Sequence, residues 1–276
     1  MSLERKHGII ALHAPVVAVI RRGPTDWMHL SRWDLETPAY ESGSWLRGTI
    51  YPQRCDLSPD GRWFAYFALK ASAGWEIGPT YIAISRLPWL TALAAWGIGS
   101  TWTRGMQFVQ DRGVQDLDEP DLGDLSTVRE RYGLRLSRAD SFAVERRRGW
   151  TETADTPPRA PDDAWDERRG DRIVMERPRP NASGSDRLTV RGTYAAIREL
   201  HGRRTDVRYE LRSRDLTRPL DHVQWAEWDA GGRLLVATDV GRLQIRDVVE
   251  GSVQWEADES AFEPDPTPPP PEASIW

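Results

Sequence analysis

Arginine and tryptophan gather in five short polar segments: Arg21–Trp27 (RRGPTDW), Lys70–Glu76 (KASAGWE), Arg146–Trp150 (RRRGW), His201–Asp206 (HGRRTD) and Asp239–Gly241 (DVG). They hold 8 basic residues in 28 positions, against 37 in the 276-residue chain, and only four acids, so they sum to +4 in a molecule of net charge -5. A guanidinium fork matches carboxylate or phosphate bidentately, and an indole supplies flat apolar area with a polar edge, so the combination suits an anionic partner. The candidate binding residues are Arg21, Arg22, Trp27, Trp75, Arg146, Arg147, Arg148, Trp150, Arg203 and Arg204. The bland counterpart is a set of ordinary exposed loops in an Arg-rich protein, since Lys6 and Lys70 are the only lysines.

Catalytic candidates are fewer. Asp56, Glu227 and Asp229 fall on expected inner strands, where two facing carboxylates could serve glycoside hydrolysis as acid and base. Carboxylates beside β-turns also arise for purely structural reasons. The sequence has no G-x-S-x-G elbow, no Walker loop and no H-E-x-x-H, and Gly97-Ile-Gly99 lacks the third glycine of a dinucleotide fingerprint. The histidines at 7, 13, 29, 201 and 222 keep no metal-ligand spacing, and in the acidic stretch 111–125 Pro120 takes the third ligand position after Asp116 and Asp118. No metal and no cofactor is therefore expected. His222 reads as a hydrogen-bonding residue where a strand begins. Cys55, the single cysteine, excludes an internal disulfide and a Cys-based zinc cluster, and reads as a small apolar residue of a buried strand.

The elements that must position these residues repeat. Leu57–Phe67 (LSPDGRWFAYF) matches Trp228–Thr238 (WDAGGRLLVAT), each an apolar residue, a polar turn ending in Gly-Arg, then an apolar strand. Asp60-Gly61 and Gly231-Gly232 supply the positive φ that such a hairpin requires. Weaker copies turn near Asp140 and Asp186, and His13-Ala14-Pro15 separates two apolar runs. Turn centres near 14, 61, 140, 186 and 232 give gaps of 47, 79, 46 and 46, with the long gap explained by an acidic insertion over about 100–131. A second pattern, L-x-x-[W/R]-D-[L/V], recurs at Leu30–Leu35, Leu211–Leu216 and Leu243–Val248 and predicts a third strand whose final Asp accepts hydrogen bonds in the next turn.

Ser58-Pro59-Asp60-Gly61, Trp33-Asp34 and Asp221-His222-Val223 with Trp225 and Trp228 resemble the WD-repeat and TolB-like β-propellers. That resemblance implies a ring of four-stranded blades. The composition agrees: 22 Gly, 20 Pro and 14 Trp suit many short strands with aromatic packing. A sheet of about 46 residues has two apolar faces and must be covered by neighbours. The expected fold is all-β, a propeller of five blades over 1–255, or six if the insertion hides another. A flexible loop is expected over 154–171, and an acidic, Pro-rich tail over 256–276, disordered or extended as polyproline II, with a docking Trp276 at its end.

Residues 1–20 resemble a secretory signal, but His13 and Pro15 interrupt the apolar run, and the stretch 87–99 is too short to span a membrane. A cytoplasmic protein with no membrane attachment is expected. The function this reading favours is a non-enzymatic protein-interaction platform within a larger assembly, binding a partner with an acidic surface. The alternatives are a nucleic-acid-binding module using the same loops and a carbohydrate-active propeller hydrolase.

Overall fold

A computed structural model describes residues 5–70, 77–99, 105–108, 136–139, 142–155, 173–181, 189–195, 205–212, 216–248, 250–265 and 267–275. Its strands are antiparallel and follow one another in chain order. The first sheet runs β1 (Arg5–Ile10), β2 (Val16–Arg22), β3 (Trp27–Asp34), β4 (Ala39–Arg47). The second contains β5 (Thr49–Ile50), β6 (Asp56–Leu57), β7 (Trp63–Leu69), β8 (Thr80–Arg86) and β9 (Ala92–Gly97). Here β5 and β6 pair in turn with β7 and are separated by a 3₁₀ turn at Pro52–Arg54, where proline cannot donate to the ladder.

A two-stranded ribbon of β10 (Gly105–Phe108) and β11 (Leu136–Ala139) follows, then a single-turn helix α1 (Ala143–Arg147). The next sheet has five strands: β12 (Thr151–Glu152), β13 (Ile173–Pro178), β14 (Thr189–Ala195), β15 (Thr205–Arg212) and β16 (Thr217–Pro219). The last comprises β17 (Val223–Trp228), β18 (Leu234–Thr238), β19 (Arg242–Arg246) and β20 (Val253–Asp258). These are all-β, propeller-like meanders. None of the described sheets closes on itself.

Asp140, where a turn is expected, lies outside the described residues, but the strand expected after it is corrected. After β11 the chain reaches Phe142 at φ 61 and enters α1 instead of returning along a neighbouring strand. The turn near Asp186 lies outside the described residues, although the strands flanking it, β13 and β14, do pair antiparallel. The insertion and the flexible loop fall outside the described residues except for 105–108 and 154–155.

Contacts divide the chain into two compact units, residues 9–144 with 264–276, and residues 1–8 with 145–263. In the first, β7 reads as an unbroken apolar run because both of its faces are covered. Phe64 and Tyr66 join a cluster with Ile20, Leu30 and Leu57, while Trp63, Ala65 and Phe67 join another with Ile82, Trp96 and Phe108. The tail is corrected as well. Residues 271–274 form a 3₁₀ turn packed against β8, with Ala273 wholly buried, and Trp276 lies outside the described residues.

The repeated hairpins share a hydrogen-bond plan. In one, Ser58 N–H donates to Trp63 O at 2.8 Å and Gly61 N–H to Ser58 O at 2.9 Å; in the other, Asp229 N–H donates to Arg233 O at 3.1 Å and Gly232 N–H to Asp229 O at 3.0 Å. Gly61 and Gly232 sit at φ 74 and 79, which excludes most side chains. The terminal aspartates of the third strands behave as expected: Asp34 Oδ1 accepts from Glu36 N at 3.0 Å, and Asp247 Oδ1 from Glu250 N at 2.8 Å. Asp215, the third of them, lies outside the described residues.

Candidate functional site

Of the Arg and Trp segments, the structure describes 21–27, 146–150 and 239–241, where Arg146 and the turn 24–26 are exposed and several other candidate side chains are not. Strand β2 runs through Arg22, so alternation turns Arg21 into the sheet face, where it is 1% exposed, faces His29 across the ladder and lies over Trp45 at 5.8 Å. Arg22 and Trp27 are half-buried on strands β2 and β3. Arg146 and Arg147 end α1, and Arg148 just beyond it is 6% exposed. Trp150 is 3% exposed, with its indole N–H donating to Glu227 Oε2 at 2.7 Å. Trp75, Arg203 and Arg204 lie outside the described residues.

The inner-strand carboxylates are saturated with donors. Asp56 is fully buried and accepts from Leu57 N at 2.9 Å and Phe108 N at 2.7 Å. Glu227, at the equivalent place in its own hairpin, takes Trp228 N at 2.9 Å, the Trp150 indole and the Arg177 guanidinium. Asp229 takes the backbone and side chain of Arg233 at 2.7 and 2.5 Å. A carboxylate so surrounded has its hydrogen-bonding capacity taken up by the fold and anchors a hairpin. Arg177, Arg179 and Asn181, which sequence reasoning missed, complete the clamp by donating to the carbonyls of Trp228, Gly232 and Ala230 at 3.0, 2.8 and 3.0 Å. No local motif marks them, because they come from the neighbouring strand and its exit.

One proton-moving group stands in the open. His222 precedes β17, and Asp239 occupies the turn between β18 and β19. The imidazole Nδ1 lies 3.0 Å from Asp239 Oδ2, and Asp239 N–H donates to His222 O at 2.9 Å, so each residue holds the other twice. The His222 side chain is 78% exposed, whereas the carboxylate is 27% exposed and its Oδ1 meets no hydrogen-bond partner among the described residues. Because Nδ1 is engaged, Nε2 is the nitrogen left for solvent or a ligand. The hydrogen bond to Asp239, then its charge, raises the imidazole above its ordinary value of 6.5, with Asp221 adding to the effect. His222 also holds φ 62, a strained backbone for a non-glycine residue.

The turn carrying Asp239 is itself built firmly. Thr238 Oγ1 accepts Arg242 N–H at 3.0 Å, and Lys6 Nζ donates to Gly241 O at 2.7 Å while pairing with Glu259. Val240, 60% exposed, sets an apolar surface beside the pair. The sequence reading that His222 makes a hydrogen bond where a strand begins is the arrangement seen. Among the described residues no group of three or more His, Cys, Asp or Glu could hold a metal ion, and no helix is long and apolar enough to cross a membrane.

No protein-family model and no curated protein matches the chain. Among solved structures it is similar to the periplasmic gluconolactonase PpgL of Pseudomonas aeruginosa, at 15% identity and a TM-score of 0.33, over 88% of this chain and 82% of that one. At those values no residue role and no substrate transfers from that protein. The non-enzymatic interaction platform is corrected on the residues themselves: Arg21, Arg148 and Trp150, three of those expected to meet the partner, are interior.

Proposed function

We propose that the chain is a hydrolase acting on an ester or lactone of the carbohydrate class, with His222 as general base and Asp239 as the residue that positions it. Its principal support is the 3.0 Å contact of Nδ1 with Asp239 Oδ2 under an exposed ring, which commits the proton on Nδ1 and leaves Nε2 as acceptor. Water bound at Nε2 gives up a proton as its oxygen adds to the carbonyl carbon. The resulting tetrahedral species expels the alkoxide, which takes that proton back from the imidazolium, leaving acid and alcohol. Asp239 favours the imidazolium formed in between.

An acyl carbon suits this pair better than a glycosidic one, because the carboxylates a glycosidase would use, Asp56, Glu227 and Asp229, are tied to backbone and arginine. Kinship with WD-repeat and TolB-like propellers, and a count of five blades, belong to the same proposal, and the succession of antiparallel sheets in chain order supports them. Acid release from glucono-1,5-lactone and from acetylated sugars, followed at constant pH, tests the function. The wild type is expected to turn over one of them, with His222→Gln slower by ~10²-fold or more. No turnover of either by folded protein, or equal rates for the two chains, overturns it.

A further inference from the structure

The outermost strand of the second sheet differs from the other outer strands. β4 carries Glu41 and Arg47, β16 carries Arg218 and Pro219, and β20 carries Glu256 and Asp258. Charges and prolines of this kind discourage a strand edge from pairing with another chain. β9 (ALAAWG) has none, and it lies in a run of 17 residues, 87–103, without a single Asp, Glu, Lys or Arg in a chain that is 29% charged. Among the described strands β9 pairs with β8 alone.

The ladder fixes which backbone groups face away. Ile98 N–H donates to Thr80 O at 2.9 Å, and pairing continues through Ile82 with Trp96 and Ile84 with Ala94. Antiparallel strands alternate, so Trp96 and Ala94 direct their N–H and C=O toward β8, and Ala95 and Gly97 direct theirs outward. Only an extended backbone satisfies such a row, and its facing side chains must be uncharged and of matching size.

We infer that a second copy of this chain supplies that backbone, β9 pairing antiparallel with β9 across a two-fold axis at Ala95. In this register Ala95 meets Ala95 and exchanges both hydrogen bonds with it. Trp96 stands opposite Ala94 and Gly97 opposite Leu93, so each large residue faces a small one and no like charges meet. Ile77, exposed and with its carbonyl lying against Gly97, extends the apolar area beside the seam. The same operation on β20 would set Glu256 or Asp258 against acidic neighbours, and β16 lacks the Pro219 donor.

Sedimentation velocity on the full chain, from micromolar to submillimolar, is the test. The mass is expected to rise from 31.4 kDa to twice that value, and Ala95→Pro, which removes an outward donor without touching the β8 ladder, is expected to hold it at the monomer value with unchanged circular dichroism. Ala92→Lys, at an exposed position on the same strand, serves if the proline variant fails to fold; it is expected to weaken the dimer at least tenfold. A wild type that stays monomeric throughout, or a folded variant that dimerises as tightly as wild type, overturns the inference.

Discussion

Lys6 and Glu259 form an ion pair with neither side chain exposed, joining residues 253 positions apart in sequence within one compact unit. Lys6 also gives its backbone N–H to Gln224 Oε1 at 2.8 Å, so the start of β1 is anchored to the β17–β20 region at three points with the Gly241 carbonyl. Removing one partner leaves a charge in a dry site, a loss of about 3–5 kcal/mol, whereas replacing both by apolar residues of similar volume costs far less. Lys6→Met is therefore expected to shift the urea midpoint strongly downward, and Lys6→Met with Glu259→Leu to recover much of it. Equal midpoints for the single variant and wild type contradict this.

Trp150 acts as a donor to a buried carboxylate, so its loss is felt in stability. Trp150→Phe keeps most of the ring volume and leaves Glu227 Oε2 short of one bond, for a loss of about 1–3 kcal/mol. Chemical denaturation followed by circular dichroism measures it. A neutral substitution would restore the view of Trp150 as a surface residue.

Much of the sheet pattern was legible in the sequence. The Gly-Arg hairpins at 57–67 and 228–238 pair as their glycines and apolar strands require, and Asp34 and Asp247 close their third strands as hydrogen-bond acceptors. For Arg21, Arg148 and Trp150, charge or aromatic character did not mean exposure. A guanidinium can be buried over an aromatic ring, as Arg21 is over Trp45 from an inward strand position and Arg54 over Tyr51 at 4.8 Å from the 3₁₀ turn, and no spacing rule separates such cases from a loop. The Lys6–Glu259 and Trp150–Glu227 contacts are long-range, so nothing in local pattern could name them.

Cys55 is fully buried, with its thiol donating to Tyr51 O at 3.2 Å, and burial pushes its ionisation well above the ordinary thiol range. The thiolate is the reactive form. Native protein at pH 8 is expected to leave a thiol reagent such as a disulfide dye unconsumed, with one equivalent reacting in denaturant. Rapid reaction of the folded chain contradicts this.

Ala273 is wholly buried where the C-terminal 3₁₀ turn meets β8. Ala273→Arg adds volume and a charge to a filled site, and deletion of 264–276 uncovers that side of β8; each is expected to destabilise the unit formed by 9–144 by about 1–3 kcal/mol or more. Thermal melts of the full-length variant and the truncated chain check this, and unchanged melting would mean the tail does not brace the sheet.

The titration of His222 carries the functional claim. Its folded-state value is raised, so its pairing with Asp239 stabilises the fold fully below the unfolded value near 6.5, and that contribution is lost as pH rises through the folded value. Catalysis runs the other way, since only the neutral ring accepts a proton. The pH–rate profile of lactone hydrolysis for wild type and Asp239→Asn tests this most directly. The wild-type rate is expected to fall on acidification through a limb above 6.5, and the Asn variant to show a slower rate with its limb moved toward 6.5. A flat profile, or one that Asp239→Asn leaves in place, would contradict the assignment of His222 as the base.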